Sequence, residues 1–220
     1  MRIFIGWDPR IPMAGEVLAY SLGKYTKNPD IEIEFLELSR LKKTIGFTRA
    51  VDPLASTEFT YTRFLVPYLC GYQGKALFLD NDMLCLSDIQ EIFDLDMTDY
   101  ALRVVKHEYN PTATIKMDGK VQTTYPRKNW SSMMFMDCSK LRCWTKEAVE
   151  TQTGAWLHRF EAVPDEQIGE IPKTWNVLDQ LNPDTKLAHF TSGGPYFKGY
   201  EDCPGSAQWY RHYYDMQNGR

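Results

Sequence analysis

The sequence is short of cysteine and of long apolar runs, and each shortage excludes a class of protein. Its 220 residues contain five cysteines, an odd number with no CxxC pair, which fits a reducing compartment better than a disulfide framework or a zinc site. The longest apolar runs, such as residues 76–79 and 133–136, fall far short of the roughly 18 residues that a membrane-spanning helix needs. Residues 1–8 hold too short an apolar stretch for a signal peptide. We therefore expect a soluble, cytoplasmic protein.

Several familiar catalytic and nucleotide-binding motifs are also missing. No GxxxxGK[ST], GxGxxG, GxSxG or HExxH occurs, so nothing supports a P-loop protein, a dinucleotide-binding enzyme, an α/β-hydrolase or a zinc peptidase. The 25 lysines and arginines are outnumbered by 29 acidic residues, which gives a net charge of −4. Because proteins that bind duplex nucleic acid normally carry the opposite sign, duplex nucleic acid is not an expected partner.

What is present is apolar material for one sizeable core, arranged as alternating strands and helices. Hydrophobic residues make up 43% of the chain and aromatic residues 14%. The patterns predict strands over residues 2–5, 31–35 and 75–79, a helix that Pro12 opens, and a second helix from Ser56 or Thr57 to Gly71. Two strand–helix–strand passages indicate an α/β fold with a mostly parallel sheet, in which ligands bind beyond the carboxyl ends of the strands.

The second half of the chain is less regular. A polar excursion covers residues 109–127, strands are expected over 133–137 and 187–191, and a helix is expected over 139–150. The aromatic and basic stretch at 209–214 indicates a last helix packed onto the domain, with contact to a membrane surface as the alternative. We expect no linker between domains.

Two acids directly after the strand at 75–79 are the strongest local signal. Asp80 and Asp82, separated by Asn81, can point their oxygens at one divalent ion whose other positions are filled by water and phosphate. The alternative is a capping turn, because Asp and Asn favour turns. Asp8 also follows a strand, so all of these side chains lie at the edge of the sheet where ligands bind.

Two further side chains are candidates for ligand contact. His189 lies on a late strand and is followed by Gly193 and Gly194, whose missing side chains allow a close backbone approach to a ligand. A packed, hydrogen-bonded histidine is the alternative. Arg63, among aromatic residues of the second expected helix, can reach a phosphate or a sugar hydroxyl, or it can be a solvated helix residue.

These segments occur in an order that resembles the small bacterial and viral nucleotide-sugar glycosyltransferases of the GT-A type. The matching segments are residues 5–10 (Ile-Gly-Trp-Asp-Pro-Arg), 56–59 with 62–68, 79–83 (Leu-Asp-Asn-Asp-Met), 128–132, 168–172, 175–176 and 189–196. The sequence is also distantly similar to glycosyltransferase family 8, which has a DxD motif and a late His-Phe-x-Gly segment. The resemblance implies one GT-A domain over residues 1–220, with a Rossmann-like nucleotide-sugar-binding half at about 1–106 and an acceptor half at about 107–220.

The resemblance implies how the donor would be bound. Asp80, Asp82 and His189 would hold a manganese or magnesium ion on the donor diphosphate. The loop after the first strand would bind the nucleoside, and the segment before the strand at 133–137 would line the sugar pocket. The donor-binding residues so identified are Gly6, Trp7, Asp8, Arg63, Asn81, Asn129, Ser131, Ser132, Gly193 and Gly194.

The resemblance also implies catalytic residues. Asp165 and Gln167 match an Asp-Gln pair beneath the anomeric carbon of the donor sugar, and Arg63 matches an arginine that touches the donor. One position departs from family 8, which usually has a lysine six residues after the histidine. Pro195 stands there, and the nearest lysine is Lys198.

The activity implied is metal-dependent transfer of a hexose from a UDP-linked sugar to a glycan, a lipid-linked sugar or a surface-polymer acceptor, with retention of configuration. A metal ion would neutralise charge on the departing diphosphate. The alternatives are a sugar-nucleotide nucleotidyltransferase, whose usual GxGxR-type loop the sequence lacks, and a catalytically silent carbohydrate-binding domain.

Overall fold

The computed structural model describes residues 1–52, 55–108 and 127–219. Within these residues the strands are β1 (Arg2–Gly6), β2 (Glu32–Leu36), β3 (Lys75–Leu79), β4 (Met83–Cys85), β5 (Leu102–Val104), β6 (Met133–Asp137), β7 (Ile168–Glu170), β8 (Val177–Leu178) and β9 (Leu187–His189). The α-helices are α1 (Pro12–Tyr25), α2 (Leu38–Ile45), α3 (Val66–Leu69), α4 (Gln90–Phe93), α5 (Lys146–Thr151), α6 (Gly154–His158) and α7 (Ser206–Gln217). Most of the expected polar excursion lies outside the described residues.

The main sheet has the strand order β2-β1-β3-β6-β5-β7 in the described part of the chain. β1 pairs in parallel with β2 and β3, β7 pairs in parallel with β5, and β6 is antiparallel to both of its neighbours. A smaller sheet has the order β4-β9-β8. The expected α/β fold with a mostly parallel central sheet flanked by helices is therefore confirmed.

Side chains of the central strands point alternately to the two faces of the sheet, and both faces are buried. Leu77 and Leu79 of β3 pack with Leu18 and Leu22 of α1 on one face. Phe78 and its neighbours on the other face join a second cluster that contains Phe64, Trp144 and Phe160. Because strand side chains alternate between faces and both faces are covered, these strands are continuous apolar runs. Each fully buried side chain contributes about 1.5–3 kcal/mol to folding.

The prediction of one helix over residues 56–71 is wrong for the first half of this range. The chain forms a 3-10 turn over Thr62–Leu65, which is followed by the short helix α3. Pro67 lies in the first turn of α3, and it has no N–H with which to continue an α-helical ladder from the preceding turn. The 3-10 turn brings Arg63 to the carboxyl end of β3, where the candidate site lies.

Other expected elements also differ from the structure in extent. The helix expected from residue 139 begins only at Lys146, where the hydroxyl of Thr145 accepts a hydrogen bond from the Ala148 N–H (3.0 Å). α2 was not expected; it ends at Gly46, whose φ of 63° is a left-handed conformation that glycine adopts readily. The last helix is confirmed as α7, and Trp209 on it is buried against the domain.

Candidate active site

Backbone pairing at the carboxyl end of β3 brings Asp80, Asp82 and His189 together. The Asp80 N–H donates to the Ser132 carbonyl (2.8 Å), and the Phe190 N–H donates to the Asp82 carbonyl (2.9 Å). One carboxylate oxygen of each acid and one ring nitrogen of His189 all lie within 4.8 Å of one another. Two carboxylates and an imidazole form a donor set that suits a divalent metal ion.

A chain of hydrogen bonds orients the His189 ring. Its Nδ1 lies 2.8 Å from Oδ1 of Asn176, and Nδ2 of Asn176 donates to the Ser132 hydroxyl (2.9 Å). The Ser132 hydroxyl in turn donates to the Asn129 carbonyl (2.6 Å). Because the amide oxygen of Asn176 can only accept, Nδ1 of His189 carries a proton and Nε2 is directed at the acids.

The remaining ring nitrogen is placed for an ion. Nε2 of His189 lies 3.1 Å from Oδ1 of Asp82. Burial lowers the pKa of His189, but the carboxylates of Asp82, Asp80 and Asp179 together outweigh burial, and the net pKa is raised above 6.5. A proton at Nε2 satisfies this pair when no ion is bound, and a cation can take its place. The residues present therefore fit a divalent metal.

Arg63 is not a solvated helix residue. It is 5% exposed, and its Nη1 lies 2.8 Å from Oδ1 of Asp80 and 2.8 Å from the Ser131 carbonyl. The guanidinium carbon also lies 5.2 Å and 5.0 Å from the ring centroids of Phe59 and Phe78. Arg63 therefore fixes one acid of the cluster, and its contact with a donor stays a prediction.

A cavity of about 470 Å³ opens beside the acid and histidine cluster. Its walls combine the cluster, the segment that precedes β6, the loop before the 3-10 turn and the helix α6. The lining residues are Asp52, Ala55, Ser56, Thr57, Thr60, Tyr61, Arg63, Asp80, Asp82, Lys128, Asn129, Ser131, Ser132, Gly154, Ala155, His158, Arg159, His189 and Thr191. The expected site residues Arg63, Asn129, Ser131 and Ser132 are thus brought together with the three candidate metal ligands.

Sequence reasoning missed several residues of this cavity. Nδ1 of His158 lies 2.8 Å from the Ser131 hydroxyl, and burial together with Arg63 lowers the pKa of His158 to about 3. The ring is therefore neutral at physiological pH. Arg159 follows it on the same wall, and Asn176 supports His189 from behind. Asn176 falls in the matching segment at 175–176, which gave it no role, and His158 and Arg159 lie in no sequence pattern with a chemical meaning, so only the structure reveals what these side chains do.

Other expected site residues lie outside the cavity lining. The Asp165 side chain is 80% exposed and pairs with Arg127 (2.5 Å), and Gln167 follows in the same 3-10 turn. Gly193 has a φ of 121°, and a Cβ on Gly194 would lie 2.4 Å from the ring of Tyr196. Their contacts with a donor stay predictions.

The loop after β1 has a structural role that the motif alone does not reveal. The carboxylate of Asp8 is buried and accepts hydrogen bonds from Nε (2.9 Å) and Nη2 (2.5 Å) of Arg10. Nη2 of Arg10 also donates to the Ser56 carbonyl (2.5 Å), which ties this loop to the cavity wall. A Cβ on Gly6 would lie 2.3 Å from the Phe59 ring. Glycine is therefore needed here for packing.

Two remaining expected donor residues pack against helices and strands. Trp7 makes an edge-to-face contact with Phe35 (5.0 Å between ring centroids). Asn81 is buried with its Cβ beside Gly15 of α1. Neither side chain lines the cavity, so a role in donor binding stays a prediction for both.

Among the described residues, no helix combines the length and apolar character needed to cross a bilayer.

The chain resembles known proteins in sequence and in fold. It is 46% identical to Protein CDI of Arabidopsis thaliana over 218 residues, which cover 94% of this chain and 84% of that protein. The fold matches apo GlyE of Streptococcus pneumoniae TIGR4, a glycosyltransferase, with a TM-score of 0.63 and 12% identity over 99% of this chain and 62% of that chain. It also matches the galactosyltransferase LgtC, solved with donor and acceptor sugar analogues, with a TM-score of 0.62 and 14% identity over 98% of this chain and 96% of that chain.

The sequence itself decides the family. Residues 26–191, about three quarters of the chain, match the profile described as glycosyl transferase family 8. This range contains the acid pair after β3 and the late histidine, which the structure unites in one cluster. The chain therefore belongs to glycosyl transferase family 8 and is a glycosyltransferase with the GT-A fold.

Proposed function

We propose that this glycosyltransferase transfers a hexose from a nucleotide diphosphate sugar to a hydroxyl group of a glycan or lipid-linked acceptor, and that it needs Mn²⁺ or Mg²⁺. The observation that carries the proposal is the cluster of Asp80, Asp82 and His189 on the wall of a 470 Å³ cavity. A cavity of this size fits a sugar nucleotide's reacting end. The structure of LgtC with donor and acceptor sugar analogues supports the same substrate classes.

Each residue of the cluster has a defined task in this proposal. Asp80, Asp82 and His189 would hold the ion, which supplies positive charge to a departing diphosphate. Arg63 fixes the Asp80 carboxylate, and Asn176 holds the protonated Nδ1 of His189 so that Nε2 stays directed at the ion.

Retention of configuration is part of the proposal. An inverting enzyme needs a carboxylate that deprotonates the acceptor hydroxyl, whereas a retaining one can use the departing diphosphate for this task. The acids among the described cavity-lining residues are already engaged: Asp80 and Asp82 in the cluster, and Asp52 by the Tyr61 hydroxyl (2.9 Å). This arrangement supports retention. Proton NMR of the product from a donor of known configuration tests it, and an inverted product would refute retention and make Asp165 or Glu166 the candidate general base.

The donor nucleotide is proposed to be UDP, and the compartment to be the cytoplasm. All five cysteines lie in the described residues as free thiols, and Cys85 and Cys138 are buried among apolar side chains. This arrangement supports a reducing environment.

The test is a binding and turnover screen of nucleotide sugars with and without Mn²⁺. We expect thermal stabilisation and donor hydrolysis with one UDP-sugar, both abolished by chelator and by Asp82→Asn. Asp184→Asn, at an exposed acid outside the cavity, is the matched control and should behave like the wild type. Activity in excess chelator would refute metal dependence. Formation of a sugar nucleotide from a sugar phosphate and a nucleoside triphosphate would identify a nucleotidyltransferase instead.

A further inference from the structure

Arg159 lines the cavity without an acidic partner among the described residues. Its Nε is buried and has no hydrogen-bond acceptor in that part of the chain. The neighbouring Arg127, by contrast, pairs with Asp165 (2.5 Å) and donates to the Arg159 carbonyl (2.6 Å). A buried guanidinium N–H without an acceptor is destabilising, and an anionic ligand would supply the missing acceptor.

A continuous set of contacts links Arg159 to the candidate metal cluster. Arg63 joins Asp80 to the Ser131 carbonyl, and the Ser131 hydroxyl contacts His158, which directly precedes Arg159 in the chain. Arg159 therefore belongs to the same rigid wall as the residues that would bind the donor. Backbone anchoring by Arg127 holds it there.

The other charged residues of the cavity can be accounted for by the donor. Arg63 offsets Asp80, and a divalent ion offsets the two negative charges of the donor diphosphate. Asp82 then contributes one negative charge to the cavity, and Lys128 on the same wall contributes one positive charge. Arg159 remains as one positive charge without a counterpart.

The rest of the described cavity lining does not supply that counterpart. Asp52 accepts from the Tyr61 hydroxyl, and the guanidinium carbon of Arg49 lies 3.5 Å from the Tyr61 ring centroid, so this acid has its own cation nearby. His158 is neutral at physiological pH. Each acid of the described lining is therefore engaged with another group, which leaves room for an anionic ligand beside Arg159.

We propose that Arg159 binds a carboxylate or phosphate group of the acceptor, so that the enzyme selects acceptors that carry a negative charge near the reacting hydroxyl. This inference rests on the proposed function. A guanidinium suits this task because its planar N–H groups can donate two parallel hydrogen bonds to either anion.

The experiment compares charged and neutral sugars on protein loaded with Mn²⁺ and UDP. Glucuronate and glucose 6-phosphate distinguish the two anions, and glucose is the neutral probe. The variants are Arg159→Gln, Arg159→Lys and the matched control Arg142→Gln, whose arginine is exposed, lies outside the cavity and contacts the Tyr72 ring. Calorimetry gives the Kd of each sugar and of Mn²⁺ with UDP, and circular dichroism verifies folding.

We expect at least one anionic sugar to bind wild type and Arg142→Gln about tenfold more tightly than glucose, and Arg159→Gln to lose this preference. Arg159→Lys should keep part of it, and the Kd of UDP should not change in any variant. Equal binding of charged and neutral sugars by the wild type would overturn the inference even if Arg159→Gln failed to fold. A weaker UDP complex in Arg159→Gln would assign Arg159 to the donor. Failure of the wild type to bind UDP with Mn²⁺ would refute the proposed function itself.

Discussion

Replacement of Asn176 by alanine should weaken metal binding without touching a metal ligand. Asn176 is 1% exposed, its Oδ1 accepts from Nδ1 of His189 (2.8 Å), and its Nδ2 donates to the Ser132 hydroxyl (2.9 Å). Alanine removes both hydrogen bonds and leaves the Nδ1–H of a buried ring without an acceptor. The ring then loses the contact that directs Nε2 at Asp82.

The structure sets the magnitude of two separate effects. Loss of two buried hydrogen bonds, with one donor left unsatisfied, should lower the free energy of unfolding by about 2–4 kcal/mol. Loss of the group that orients a metal-binding histidine typically weakens metal affinity by about 10–100-fold. Ser132→Ala separates these effects, because it removes the acceptor for Nδ2 of Asn176 and leaves the bond to His189 in place.

The assay is titration of Mn²⁺ followed by electron paramagnetic resonance, at a temperature where urea unfolding shows each variant to be folded. Asn176→Ala should bind Mn²⁺ at least about tenfold more weakly than wild type. Ser132→Ala also loses two hydrogen bonds, so it should lose about 2–4 kcal/mol of stability as well, but it should keep a nearly wild-type Kd. A folded Asn176→Ala protein with the wild-type Kd would refute the reasoning, since the orientation of His189 would then not depend on this bond.

Three further outcomes are expected. Gly6→Ala should lower the free energy of unfolding by about 1–3 kcal/mol, because its Cβ would lie 2.3 Å from the Phe59 ring. The control Gly23→Ala in α1, which has open space around it, should not lower this free energy. Urea titration measures the stability of both variants. Asp80→Ala should lower the free energy of unfolding by about 3–5 kcal/mol in the same assay, because it removes the acidic partner of the buried Arg63, and a loss below 1 kcal/mol would contradict this. The pKa values of His158 (about 3) and His107 (about 4) lie below the value of about 6.5 in the unfolded chain, so the unfolded chain binds more protons below pH 6.5. The free energy of unfolding should therefore fall as the pH drops from 6.5 towards 4, by up to about 1.4 kcal/mol per pH unit for each ring. Urea titration at several pH values measures this slope, and replacement of either histidine by glutamine should flatten it.

Local patterns in the sequence were sufficient to predict the central strands and the acid pair. The strand expected over residues 75–79 is β3, and the strand expected over 133–137 is β6. Their side chains are apolar on both faces of the sheet, and a turn-forming sequence follows β3. The short apolar run and its boundary therefore both indicate a buried strand. Because a carboxyl strand end is a ligand-binding edge, Asp80 and Asp82 could be proposed as candidate metal ligands before any contact was known.

Patterns failed where a proline or a tertiary contact determined the local structure. Apolar spacing predicted one helix over residues 56–71, but Pro67 and the packing of Phe59 against Gly6 produce a loop, a 3-10 turn and the short α3. The resemblance implied that Asp8 contacts the nucleoside, and that role stays a prediction. In the structure Arg10, two residues away, binds both of its carboxylate oxygens.

The sequence by itself determined the family, the sheet that carries the acid pair and the chemical types of the candidate metal ligands, because each depends on residues that are close together in the chain. Only the tertiary structure decided which distant side chains complete the site. His189 reaches the acids because β9 pairs with β4. Asn176 directly precedes β8, and the pairing of β8 with β9 brings its side chain to the His189 ring, which it orients. Arg159 reaches the cavity because α6 packs beside the turn that carries Ser131. These contacts join segments far apart in sequence, and strand pairing and core packing, which no local pattern encodes, bring them together.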